Sequence, residues 1–195
     1  MKRSGFRQQS IEEIKAKQAV KRATSSHTIK SKAVKAKKGS NTARAKKQEA
    51  KRKLCEQYDL PIIPCSRWGT AKTFTRTDLL KGMAWTVFSK HIRERDVEKP
   101  CITCGLPLAH GDIQAGHYVP VGNSSVVMWF LEENVNGEHP TCNADFSGWH
   151  LVPMRKNMVW RYGEEVVEKL DRLAGQKSTV KLPEEYYVDL IKEYL

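Results

Sequence analysis

The sequence predicts an α+β fold: a small finger of two strands and a short helix, flanked by further helices and preceded by a basic arm. Three observations predict it. Apolar residues recur at helical spacing over 78–95 and again toward the C-terminus. Two pairs of Cys and His side chains bracket two strand-like runs. Positive charge is confined to one end: the formal net charge is +12 over 195 residues, yet residues 1–53 alone carry +15 and residues 54–195 carry −3.

The arm, 1–53, holds 18 Lys and Arg against Glu12, Glu13 and Glu49, with one Phe and no Trp, Tyr, Leu or Cys. Such a segment buries too little apolar area to offset the entropy of ordering, so by itself it is expected to be disordered or nascent helix. Its charge selects a polyanion, nucleic acid first and an acidic membrane surface second. A solubilising tail and a localisation signal are the blander readings. No run approaches the roughly 18 apolar residues that a membrane span requires. Met1-Lys2-Arg3-Ser4-Gly5 is not followed by the apolar stretch of a secretory signal. Five cysteines, an odd number without an export signal, argue against a disulfide framework. A metal site or free thiols in a reducing cytoplasm is the better reading.

Residues 54–76 read as a connector punctuated by Pro61, Pro64 and Gly69, with Trp68 and Phe74 as its anchors. Cys55 and Cys65 within it have no partner ligands and read as free thiols. The domain proper, 77–195, opens with a helix over 78–95, for which Thr77-Asp78 supplies a capping hydroxyl and a first-turn carboxylate. Leu80, Met83, Ala84, Val87, Phe88 and Ile92 form its apolar face. His91 beside that face reads as a packed histidine. Arg93-Glu94-Arg95-Asp96 reads as a solvated helix end whose arginines could touch phosphate. Strands are expected at 113–119 and 125–130, a short helix from His139 toward Phe146, and helices at 153–161, 164–173 and 183–194, separated by Gly163, Gly175 and Pro183.

Cys101-x-x-Cys104 and His139-x-x-Cys142 each place two donors on a short turn, so together they close one tetrahedral site around a structural zinc. A lone C-x-x-C could be a redox dithiol, but the βαβ surroundings of that motif are missing. The 34 residues between the two pairs are pinned at both ends by such an ion. They carry Gln114-Ala115-Gly116-His117-Tyr118 and Glu132-Glu133-Asn134, and the second pair runs directly into Asn143. Strand with His, second strand ending in Asn, then a helix with a polar residue at its start is the layout of a ββα metal finger. A neutral imidazole suits a general base near pH 7, and amide oxygens suit a hard divalent cation.

The ordered string Ile92-Arg93-Glu94-Arg95-Asp96, Pro100-Cys101-Ile102-Thr103-Cys104-Gly105, Ala115-Gly116-His117-Tyr118, Glu133-Asn134-Val135, Cys142-Asn143, Ser147-Gly148 and Leu151-Val152-Pro153 resembles the NinG (Rap) family of phage recombination proteins. The likeness spans roughly residues 84–174. More broadly, the site resembles an HNH, or His-Me finger, endonuclease. The resemblance implies a structure-specific DNA endonuclease acting on branched recombination intermediates such as Holliday junctions and D-loops, in the cytoplasm of an infected bacterium. It implies His117 as general base, Asn134 as the brace of the His loop, and Asn143 as a ligand of a catalytic Mg²⁺ or Mn²⁺. Cys101, Cys104, His139 and Cys142 would hold zinc. The sequence departs from the pattern at His139, where the family usually has Cys, and at Gly116, where many HNH enzymes have a metal-binding Asp. It departs again at Gln114, where the family often has an acid. The second catalytic-metal ligand is therefore open among Asp112, Gln114, Asp145 and His150. Two other functions fit the same residues: a non-catalytic, zinc-stabilised nucleic-acid-binding protein, and an HNH endonuclease specific for a duplex sequence. A homodimer would suit a junction with two symmetric strands to cut.

Overall fold

The computed structural model describes residues 43–64, 74–109, 111–123, 125–144, 151–176 and 181–195. The chain divides into two units, 1–49 and 50–195. Of the first unit, the described residues 43–49 are helical. Residues 1–42 of the basic arm lie outside the described residues, as do the expected anchor Trp68 and Cys65. The helix that contains 43–49 continues to residue 58 (α1), so the boundary expected between Lys53 and Leu54 falls inside a helix. Leu54, Cys55, Leu60 and Ile63, expected in a connector, belong to the core of the second unit. Spacing explains this: Leu54 and Cys55 continue the helix, and the chain then folds back, with Leu60 N–H bonded to the Cys55 carbonyl at 2.9 Å.

Helix α2 spans Arg76–Arg95. Its cap is Thr75, two residues before the expected Thr77. The Thr75 hydroxyl accepts from the Asp78 N–H at 3.1 Å, and the Asp78 carboxylate accepts from the Thr75 N–H at 2.9 Å. Asp78 is the first-turn carboxylate as expected, and it closes a capping box with Thr75. The predicted apolar face Leu80, Met83, Ala84, Val87, Phe88 and Ile92 is buried, and so is Leu79 beside it. It meets Tyr187, Val188 and Ile191 of the C-terminal helix α6 (Glu184–Glu193), together with Phe130 and Val135. Each such fully buried side chain contributes about 1.5–3 kcal/mol.

The finger lies on this helical layer. Strand β1 (Gln114–His117) pairs antiparallel with β2 (Val135–Glu138), in the register Gln114↔Glu138, Ala115↔Gly137, Gly116↔Asn136 and His117↔Val135. The run Val126–Phe130, expected as the second strand, is a 3₁₀ helix instead. A short apolar run does not reveal its period, and here Met128 and Phe130 point into two different cores. The true second strand, Val-Asn-Gly-Glu, has the composition of a turn, yet all four residues are buried. Gly137 is obligatory there, because a Cβ would lie 2.8 Å from that of Asp96 and 2.9 Å from a Leu108 methyl.

Helix α3 (Pro140–Asn143) follows β2 directly, and residues 145 and 146 at the far end of the expected helix lie outside the described residues. Helices α4 (Leu151–Tyr162) and α5 (Glu164–Leu173) close the other side of the finger. Met154, Met158, Val167 and Leu170 pack there on Ile102, Tyr118, Val119 and Met128.

A two-stranded sheet of four-residue strands is marginal alone. It is held by the very residues that read as a solvated helix end. Asp96 is 0% exposed. Its carboxylate takes two 2.8 Å hydrogen bonds from Arg95, one of 2.9 Å from Lys99 and one of 2.8 Å from the Gly137 N–H. Arg95 also donates to the Val135 carbonyl at 2.9 Å, tying the end of α2 to β2. His91 is packed, as expected, against Tyr194 and 3.1 Å from Glu132.

Candidate metal centre and active-site cleft

The knuckle begins where Pro100 and Pro107 form an isolated antiparallel bridge. The chain reverses within it: the Cys101 N–H bonds the Leu106 carbonyl at 2.8 Å, and the Gly105 N–H bonds the Cys101 carbonyl at 2.9 Å. Gly105 has φ +74°, the left-handed conformation that glycine adopts at little cost. This turn aims both thiols the same way. The Ile102 N–H is anchored on the Gly137 carbonyl of β2. Asn157 of α4 donates to the Ile102 and Thr103 carbonyls at 2.9 and 3.1 Å. His139 and Cys142 arrive from the end of β2 and from α3. The ligand atoms of Cys101, Cys104, His139 and Cys142 all lie within 4.8 Å of one another. His139 directs Nδ1 inward, 3.4 Å from the Cys104 sulfur, while Nε2 lies 3.2 Å from the Pro107 carbonyl. That outer hydrogen bond fixes the tautomer and leaves Nδ1 to bind metal. Burial and the adjacent Cys101 and Cys104 sulfurs push the Cys142 thiol up to about 12. A dication at the centre would reverse that balance. Three sulfurs and one imidazole in this arrangement fit a structural metal such as zinc.

The second concave site is a cleft of about 440 Å³, lined among others by Trp85, Arg93, Gln114, His117 and Asn143. His117 ends β1 and stacks on Trp85 of α2, with centroids 4.9 Å apart and planes 15° from parallel. Its Nε2 lies 3.2 Å from the Trp129 carbonyl, which can only accept. Nε2 is therefore the protonated nitrogen, and Nδ1 keeps a lone pair. Burial pushes the imidazole down to about 4, against the opposing pull of the Trp129 carbonyl, so the ring is neutral at pH 7.

Asn134 is brought near this site without lining it. It is 0% exposed. Its Oδ1 accepts from the Val119 N–H at 2.8 Å, its Nδ2 donates to the Met128 carbonyl at 2.9 Å, and its own carbonyl accepts from the Tyr118 N–H. These bonds clamp the chain leaving His117. Asn143 and Gln114 meet directly, Nδ2 of Asn143 donating to Oε1 of Gln114 at 2.8 Å. Asp112 is exposed and does not line the cleft, while Asp145 and His150 lie outside the described residues.

One residue of the cleft was read only as an arginine that could touch phosphate, and one residue beside the cleft was not singled out. Arg93 lines the cleft, whereas Arg95, its apparent equivalent, is consumed by Asp96. Glu138 is 3% exposed, with one carboxylate oxygen 3.2 Å from the Thr103 hydroxyl. Burial pushes its carboxyl up to about 7. Only the strand register, which pairs Glu138 with Gln114, could have pointed to it.

The family model described as "Bacteriophage Lambda NinG protein" matches residues 6–195. The chain belongs to the NinG family. Among curated relatives, "Protein ninG" of Escherichia phage lambda and that of Escherichia phage 933W are each 38% identical over 80 residues, which cover 41% of this chain and 38% of those proteins. "Protein ninG" of Salmonella phage P22 is 36% identical over a stretch of the same length. The match thus spans about two fifths of the relatives' length. No solved structure matches this NinG-family chain. No helix among its described residues is long and apolar enough to cross a membrane.

Proposed function

We propose that this chain is a metal-dependent, structure-specific DNA endonuclease of the HNH, or His-Me finger, type that acts on branched recombination intermediates in the cytoplasm of the phage-infected host. The observation that carries the reading is His117: a neutral imidazole with one nitrogen tied to a carbonyl, the other unbonded among the described residues, and its ring at a cleft shared with Arg93 and two amide side chains.

Phosphodiester hydrolysis needs a base for water and positive charge at the phosphate. His117 Nδ1 takes the proton from the attacking water, and its held tautomer spares the site a rearrangement at that moment. Trp85 fixes the ring plane by stacking, and Asn134 fixes the segment behind it. Arg93 pairs with a phosphate oxygen at the mouth of the cleft. The amide oxygens of Asn143 and Gln114 would hold a catalytic Mg²⁺ or Mn²⁺. That ion supplies stabilisation of charge on the phosphate and the leaving 3′-oxygen. The basic residues of 1–53 add affinity that is independent of sequence and falls with salt, and a homodimer would present two clefts to the two symmetric strands of a junction.

The test is cleavage of four-way junction, flap, single-stranded and linear duplex DNA by the full chain, with and without Mg²⁺. Nicking of the junction that requires Mg²⁺ is expected. Tight, salt-sensitive binding without nicking under Mg²⁺ or Mn²⁺ would make the chain a zinc-stabilised nucleic-acid-binding protein. Preference for one linear sequence would make it a sequence-specific HNH enzyme.

A further inference from the structure

Gly116 directly precedes His117, and a Cβ placed on it would lie 2.7 Å from the Glu138 carboxyl carbon, 2.7 Å from Glu138 Oε2 and 2.8 Å from Asn143 Oδ1. The space where a side chain at 116 would begin is thus taken by the head of Glu138, reaching across from the neighbouring strand. Oε1 of that carboxylate accepts from the Thr103 hydroxyl. Oε2 has no hydrogen-bond partner among the described residues, although the side chain is 3% exposed. Asn143 turns its Nδ2 toward Gln114 and its Oδ1 toward the same spot. Glu138 Oε2 and Asn143 Oδ1 therefore both crowd the open side of Gly116, and a buried carboxylate oxygen without a donor is costly and is relieved by a cation.

We infer that Glu138 is the carboxylate ligand of a divalent cation bound beside His117, reaching from β2 the position that a side chain at 116 would occupy from β1. The inference rests on the nuclease reading for the ion's purpose, though not for its binding. Oxygen donors from Glu138, Asn143 and Gln114, with water in the remaining positions, suit Mg²⁺ or Mn²⁺. Gln114 is the register partner of Glu138, so the two side chains leave the same face of the sheet. A carboxylate at either position reaches one site, and this chain places it at 138.

The test is Mn²⁺ binding to the zinc-loaded full chain, read by electron paramagnetic resonance, with zinc content and melting temperature measured on every variant. Glu138→Gln keeps the acceptor for Thr103 and removes the charge; it is expected to weaken Mn²⁺ binding at least tenfold with zinc retained. Adding Gln114→Asp to that variant is expected to restore most of the affinity. Gly116→Ala keeps both side chains but crowds Glu138 and Asn143 alike, and is expected to weaken Mn²⁺ binding without loss of zinc. Should Glu138→Gln shed zinc, Glu138→Asp, which keeps the charge and shortens its reach, decides. Mn²⁺ bound as tightly by the decisive variant as by the parent chain would overturn the assignment, as would a parent chain that binds no Mn²⁺ beyond its zinc site. Junction cleavage by the parent chain separates the two ideas. Cleavage with a Glu138-independent ion overturns the ligand and leaves the nuclease standing; Glu138-dependent Mn²⁺ binding without cleavage does the reverse.

Discussion

Two polar clusters beside the β1–β2 ribbon bury their groups in opposite ways. Around Asp96, both carboxylate oxygens are occupied by Arg95, Lys99 and the Gly137 N–H, and the spare donors of Arg95 and Arg161 end on carbonyls of Val135 and Pro100. Around His117, Nδ1 and the Glu138 Oε2 have no partner among the described residues. A satisfied polar network rigidifies, whereas an unsatisfied one retains capacity for a ligand. The knuckle is a third case: it is complete as a donor set for a structural metal such as zinc. Perturbing the knuckle or Asp96 should cost stability, and perturbing the cleft should cost chemistry.

The largest effect expected is removal of the knuckle metal. The strands are too short to persist alone, and structural zinc in small domains contributes roughly 10 kcal/mol or more of folding free energy. Chelation, or Cys101→Ser, should therefore unfold the finger, seen as loss of near-ultraviolet circular dichroism, while the helical signal of α2 and α6 falls less. A finger that stays folded without metal would break the comparison at its base.

Asp96→Asn comes next. It leaves Arg95 and Lys99 facing a neutral amide, and breaking a buried pair typically costs about 3–5 kcal/mol, read as a lower urea midpoint with metal retained. The Asp96 carboxyl is held at about 2 rather than the ordinary 3.8: burial opposes ionisation, and the bonds from Arg95, Lys99 and Gly137 outweigh it. Its folded-state value is depressed, so its contribution is complete above pH 3.8 and is lost as pH falls toward 2. In the Asn variant that part of the acid sensitivity should vanish.

A smaller effect sharpens the other side. Burial holds the His117 imidazole down to about 4, so its base form persists well below the usual histidine range. The acid limb of kcat/KM should bend near pH 4, as far as stability allows, and not near 6.5. A limb at 6.5 would mean that the ring is solvated during the proposed cleavage, and the contrast between the two regions would shrink.

Legibility followed the range of the forces involved. Helix α5 was expected at 164–173 and lies there, because Gly163 and Gly175 bound it and Val166, Val167, Leu170 and Leu173 give it a local period. The knuckle was legible for the same reason, since each ligand pair is four residues long. Strand β2 was not, because Asn136 and Glu138 are buried only by virtue of distant partners: Arg161, Tyr162 and Thr103. Arg93-Glu94-Arg95-Asp96 looked like solvent-facing charge because nothing local distinguishes a hub from a fringe. His117 and Asn143 are candidates by their spacing to the knuckle, whereas Glu138 becomes one only through the register of two strands.

The most direct test of the central claim is single-turnover nicking of a four-way junction in Mg²⁺ by the parent chain and by His117→Ala. Loss of a general base costs about 10²–10⁴-fold, so the variant's rate should fall by that factor while junction affinity and zinc content stay unchanged. A variant that nicks at the parent rate would contradict the assignment of His117 as the base.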